Sequence, residues 1–166
     1  LFVFSLIFYG WGEPRYIVLM IVSIVSGFIF ALMIEKKQNK KSGLILMWIS
    51  VAVSLSFLLI FKYADFLIEN VNQLPGVSLP LSKLSLPIGI SFYTFQIISY
   101  TVDVWRGDTK AQRNIISFGT YVSLFPQLIA GPIVKYHDVA AEIDQRTVTL
   151  DGVALGIRRF SAGLCK

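Results

Sequence analysis

Residues 88–105 read IGISFYTFQIISYTVDVW, a run long enough to cross a bilayer but not composed like a plain lipid anchor. Tyr93, Gln96, Tyr100 and Asp103 recur at spacings of three, four and three. On an α-helix that spacing makes one continuous polar stripe. Polar and ionisable groups are costly in a membrane span and usually face a bundle interior or a wet cavity. A helix of about Ile88 to Trp105 with an inward polar face is therefore predicted. The run that follows contains Pro126, Gly131 and Pro132, so it cannot be one straight helix.

The rest of the chain sets this helix in a membrane. Of its 166 residues, 55% are hydrophobic and 15% charged, with a mean hydropathy of +0.68. Soluble domains carry roughly a quarter charged residues. Arg15 to Ile34 and Gly43 to Phe61 are two further apolar runs, each close to the ~20 residues a crossing needs. The predicted fold class is all-α, a polytopic transmembrane helix bundle with broken or re-entrant helices and interfacial amphipathic helices. The chain begins inside an apolar run without an initiator Met and stops in what reads as an opening helix. Residues 1–166 are accordingly expected to be a single fragment of one domain, truncated at both ends.

Charge orients the bundle. The net charge of +5 does not point to nucleic acid, because Lys36, Lys37, Lys40 and Lys41 fall together between two spans, where positive charge marks the cytoplasmic side. Arg106, Lys110 and Arg113 follow the striped helix and are expected on the same side. Gly10, Gly12 and Pro14 make an outer turn. Helix three is expected to leave the membrane towards Lys62, Asp65 and Glu69. From there to Ser85, with Pro75, Gly76 and Pro80, the chain is expected to lie along the outer surface with a short interfacial helix. Ser23, Gly27 and Ala31, and Ser50 and Ser54, are small-residue rows that allow close helix approach.

Asn114 is an N-cap candidate for a helix running to about Phe125, where Pro126 disturbs it. Gln127 and the Ala130–Gly131–Pro132 break then lie at membrane depth, where irregular backbone must be buried in protein or line a cavity. The segment from Tyr136 to Gln145 is polar and interfacial. Val153, Ile157, Phe160 and Leu164 form an apolar stripe opposite Arg158 and Arg159, as in a surface-lying or docking helix. The lone Cys165 excludes an intrachain disulfide and a Cys-rich metal site. No metal-ligand cluster, phosphate loop or Ser/His/Asp set is present. His137, beside Asp138, is the one histidine. It sits past a helix break among polar residues, with no nucleophile marked nearby, and reads as structural or interfacial rather than as a base. Tyr93, Gln96, Tyr100, Asp103 and Gln127 are the substrate-binding or cavity-lining candidates. The bland reading of the stripe is interhelical hydrogen bonding, with Asp103 paired to Arg106.

Four ordered blocks carry a resemblance. PIGISFYTFQIISYTVDVWRG (87–107) and FPQLIAGPIVKYHD (125–138), with FYGWGEPRY (8–16) and GIRRFSAGLCK (156–166), closely resemble the membrane-bound O-acyltransferase family. The match is best to its alginate O-acetyltransferase-like branch, which also includes D-alanyl transferases of teichoic acid. The resemblance implies an N-terminal-half fragment of an O-acetyltransferase of the bacterial cytoplasmic membrane, crossing it several times and acting on hydroxyls of an exported polysaccharide, alginate-like or cell-wall glycan. It implies no bound cofactor, an acyl donor such as acetyl-CoA or an acyl-carrier protein, and a separate extracytoplasmic acyltransferase partner besides the membrane lipid. It also implies that the catalytic histidine lies downstream, after a tryptophan, since no Trp-His pair occurs here and His137 belongs to a framework block. The fragment alone is then inactive. The rivals are a transporter or channel subunit with broken helices, and a non-catalytic scaffold.

Overall fold

A computed structural model describes residues 1–38, 40–73, 80, 85–128, 134–144 and 149–165. Its described residues form helices and connections, with no strand among them. In chain order the helices are α1 (Phe2–Gly12), α2 (Ile17–Lys36), α3 (Lys41–Val71), α4 (Ile90–Arg106), α5 (Ile115–Ser123), α6 (Phe125–Leu128), α7 (Tyr136–Asp144) and α8 (Leu150–Leu164). Helices α2, α3 and α4 pack on one another as the central group. Helix α5 packs on α1, α2, α4 and α7.

The small-residue rows do the close packing. Ser23, Gly27 and Ala31 are all buried on α2. A Cβ at Gly27 would come within 2.6 Å of the Ile97 side chain on α4. Ser50 and Ser54 are buried on α3 in the same way. Near the other end of α2, Tyr16 meets Phe61 of α3 edge to face at 5.7 Å. Helices α2 and α3 are thus an antiparallel pair, joined through the lysine-rich turn.

Apolar side chains face outward on the long helices, and several polar ones are buried within the apolar core. Val18, Ile21, Val22 and Ile29 on α2, and Ile45, Trp48, Ile49 and Ile60 on α3, are exposed. Ser23, Ser50, Ser54, Thr94, Gln96, Thr101, Asp103 and Ser123 are buried. Helices α2 and α3 are long and apolar enough to cross a membrane. Hydrocarbon solvates such a surface and penalises exposed polar groups, which are therefore turned inward. The protein is a helical membrane bundle.

One expectation fails. Sequence alone ends the third helix near Phe61, with the chain leaving the membrane towards Lys62, Asp65 and Glu69. Instead α3 continues without interruption to Val71, through Lys62, Asp65 and Glu69. No proline or glycine lies between Leu44 and Leu74 to stop it. Pro75 and Gly76, and the short interfacial helix expected there, fall outside the described residues. So does the Ala130–Gly131–Pro132 break. The break expected at Pro126 is present one step earlier: α5 ends at Ser123, and Leu124 (φ −57°, ψ 106°) leaves the helical region. Continuing α5 would set the Pro126 ring against the Val122 carbonyl, which would also lack its N–H donor.

Helix α8 is capped by Thr149, whose Oγ1 accepts from the Gly152 N–H at 3.1 Å. No residue of α8 is buried, and Val153, Ile157, Phe160 and Leu164 are all exposed.

Candidate functional site

Two glycines set the limits of the striped helix. Gly89 precedes α4 with φ 76°, and a Cβ there would lie 2.8 Å from the Leu128 carbonyl oxygen. Gly107 ends it with φ 84°. The Gly107 N–H donates to the Val104 carbonyl (3.2 Å) and the Asp108 N–H to that of Asp103 (3.0 Å). This is the Schellman closure, which requires a left-handed residue at that position.

Between them, Tyr93, Gln96, Tyr100 and Asp103 are all buried. Each has a different environment. The Tyr93 hydroxyl lies near that of Tyr9 on α1, close enough to interact electrostatically but outside hydrogen-bonding geometry. The Tyr100 hydroxyl accepts from the Gln112 backbone N–H at 2.7 Å. Asp103 is 5% exposed, and its Oδ2 has no hydrogen-bond partner among the described residues. The expected Asp103–Arg106 pair does not form: Arg106 is exposed at the last position of α4. Its long side chain reaches water there, while Asp103, one turn earlier, is enclosed.

The loop 107–114 ties this helix to its neighbours. Gln112 Nε2 donates to the Tyr136 hydroxyl at 2.7 Å. Its Oε1 accepts from the N–H groups of Arg113 (2.7 Å) and Asn114 (3.0 Å). Asn114 Oδ1 caps α5 by accepting from the Ile116 N–H at 2.9 Å, as its sequence position predicts. Tyr136 and Tyr100 then meet at 5.0 Å, Tyr136 and Tyr121 at 5.1 Å, and Tyr100 and Phe118 at 4.7 Å between ring centroids. Edge-to-face and tilted contacts of this kind contribute beyond plain burial. The Tyr121 hydroxyl donates to the Val134 carbonyl at 2.9 Å. Helices α4, α5 and α7 are thus joined through one aromatic cluster.

Beside that cluster is a cavity of about 710 Å³, with Ser117, Thr120, Tyr121 and Gln127 among its lining residues and Leu124, Val139 and Ile143 on its apolar wall. Gln127 therefore lines a cavity. Tyr93, Gln96, Tyr100 and Asp103 are buried in the packed interior and are not among its lining residues. His137 is half exposed on α7, with Nε2 2.8 Å from Asp138 Oδ1. Sequence reasoning missed Ser117, Thr120 and Tyr121. A signal was available: Ser117, Thr120, Leu124 and Gln127 repeat the three, four and three spacing of the α4 stripe. Leu124 interrupts its polar character, and Pro126 drew attention to the break instead.

The chain is similar along its whole length to known proteins. A protein of Pseudomonas syringae pv. tomato named a probable alginate O-acetylase, AlgI, is 39% identical over 171 aligned residues, covering 100% of this chain and 33% of that protein. The protein of the same name from Pseudomonas aeruginosa is 38% identical, again over 100% of this chain and 33% of its own length. A peptidoglycan O-acetyltransferase of Helicobacter pylori is 29% identical over 98% of this chain and 36% of its length. The chain thus spans about a third of the length of these relatives. Neither a family model nor a solved structure matches it. These relatives are acetyl-transfer enzymes by name, which gives no support to a transporter or channel. Along its whole length, the chain is thus similar to probable alginate O-acetylases and, at lower identity, to a peptidoglycan O-acetyltransferase.

Proposed function

We propose that the whole protein is an integral-membrane O-acetyltransferase that modifies hydroxyls of an exported polysaccharide, either alginate-like or a cell-wall glycan. Similarity along the entire chain to alginate O-acetylases is the observation that carries this reading. In the same reading the protein crosses the bacterial cytoplasmic membrane several times. It takes its acyl group from a cytoplasmic donor, acetyl-CoA or an acyl-carrier protein, and hands it on outside with a separate extracytoplasmic acyltransferase. The residues here supply a framework and one wall of a cavity, through Tyr121, Thr120 and Gln127. The base that takes the proton from the acceptor hydroxyl lies outside this segment. Deleting the gene and measuring O-acetyl content of the exported polysaccharide tests the activity. An unchanged acetyl content in every exported glycan would overturn it.

Two expectations follow from this assignment. In the full-length protein, His137→Ala should keep most of the wild-type acetyl transfer, because His137 is half exposed and its partner is the neighbouring Asp138. A loss of several orders of magnitude in correctly folded protein would make His137 the base. The second expectation concerns orientation. Lys37→Cys should be protected from an impermeant thiol reagent in intact cells, and Asn72→Cys should be labelled, each in a Cys165→Ser background. The reverse pattern would invert the bundle.

A further inference from the structure

We propose that the two basic loops at one end of the bundle form a single binding site for the phosphate headgroup of an anionic membrane lipid. The loops are far apart in sequence but joined in space. Gln38 Nε2 donates to the Val104 carbonyl at 3.1 Å. The Ala111 N–H donates to Glu35 Oε1 at 3.0 Å, and the Arg113 guanidinium donates to Glu35 Oε2. Gly107 permits the contact, since a Cβ there would sit 2.7 Å from Gln38 Nε2.

These ties consume one acid and one base, Glu35 and Arg113. They leave Lys36, Lys37, Lys40, Lys41, Arg106 and Lys110 exposed and in no ion pair among the described residues. Asp108 is the exposed carboxylate of the second loop. The cations are thus gathered by the two Glu35 contacts, the Gln38 hydrogen bond and a glycine turn, against their mutual repulsion, and a bound anion would relieve it. The anion's class follows from what adjoins the cations. Met33, Leu44, Ile45 and Trp48 are exposed beside the first loop, and Ile115 and Ile116 beside the second. A ligand filling both zones has a phosphate and hydrocarbon chains, which is a lipid rather than a soluble phosphate. A juxtamembrane cluster of this size attracts anionic headgroups.

The test uses the purified full-length protein in detergent, titrated with phosphatidylglycerol or phosphatidylcholine and read by native mass spectrometry. Phosphatidylglycerol should bind at least tenfold tighter. Each cation near a lipid surface contributes about fivefold, so Lys37→Gln with Lys110→Gln should weaken phosphatidylglycerol about 25-fold and leave phosphatidylcholine unchanged. Lys37→Arg with Lys110→Arg should retain binding, which separates charge from folding. Equal binding of the two lipids, or an unchanged glutamine double variant, would leave the lysines with a purely topological role and overturn the proposal. Displacement of the lipid by millimolar inorganic phosphate or coenzyme A would show a site for soluble phosphates and overturn it equally.

Discussion

Gly27→Leu is expected to destabilise the full-length protein by about 3 kcal/mol or more, at the upper end of overpacking costs. A single Cβ at this position already meets Ile97 at 2.6 Å, and the Phe118 ring lies 3.5 Å away. A leucine side chain must push α2 off α4 or force Ile97 from its rotamer. Removing a glycine from a helix interior gains at most ~1 kcal/mol of helix propensity, so the clash wins. Thermal unfolding in detergent is the measurement, with Ile29→Leu as the control, since Ile29 faces outward at 49% exposure. If both variants melt with the wild type, α2 and α4 are not in contact through the small-residue row.

Tyr100→Ala should be comparably damaging. Tyr100 is fully buried, and its ring touches Phe118 and Tyr136. Truncating a buried aromatic costs about 3–5 kcal/mol. The change also leaves the Gln112 N–H without its acceptor, at about 1–3 kcal/mol. Tyr100→Phe separates the two contributions, because it keeps the ring and removes only the acceptor. The expected order of melting temperature is wild type, then phenylalanine, then alanine, with the larger step second. A phenylalanine variant as unstable as the alanine one would mean that the hydroxyl, not the ring, holds α4 to α5 and α7.

Local patterns were legible in the sequence, and non-local ones were not. The inward stripe on α4 was readable because polar residues at three, four and three spacing have one way to lie on a helix. The cap at Asn114 and the break before Pro126 were readable because each depends on a residue and its immediate neighbours. The Asp103–Arg106 pair was expected from spacing alone, but the helix end decides it: Arg106 reaches water, and Asp103 does not. The contact of Gln38 with Val104 joins residues separated by 66 positions. No periodicity encodes such a contact. The cavity wall of Ser117, Thr120 and Tyr121 also depends on how α5 sits against α7, which spacing does not contain.

The length of α3 has a geometric consequence. Tyr16, just before α2, touches Phe61, so the two helices are level there. Helix α3 then runs on from Lys62 to Val71, a further ~15 Å at 1.5 Å per residue. Its 31 residues measure about 46 Å, close to the ~40–45 Å of a bilayer with its headgroups, whereas the hydrocarbon alone is ~30 Å. Leaning would not absorb the excess over the hydrocarbon, since that requires about 50° and spanning helices tilt by roughly 0–40°. The edge that sequence alone places at Phe61 therefore belongs to the hydrocarbon, while the helix goes on through the headgroups. The rim of the bundle at that end is a step, with α3 as the riser and the α1–α2 turn as the lower tread.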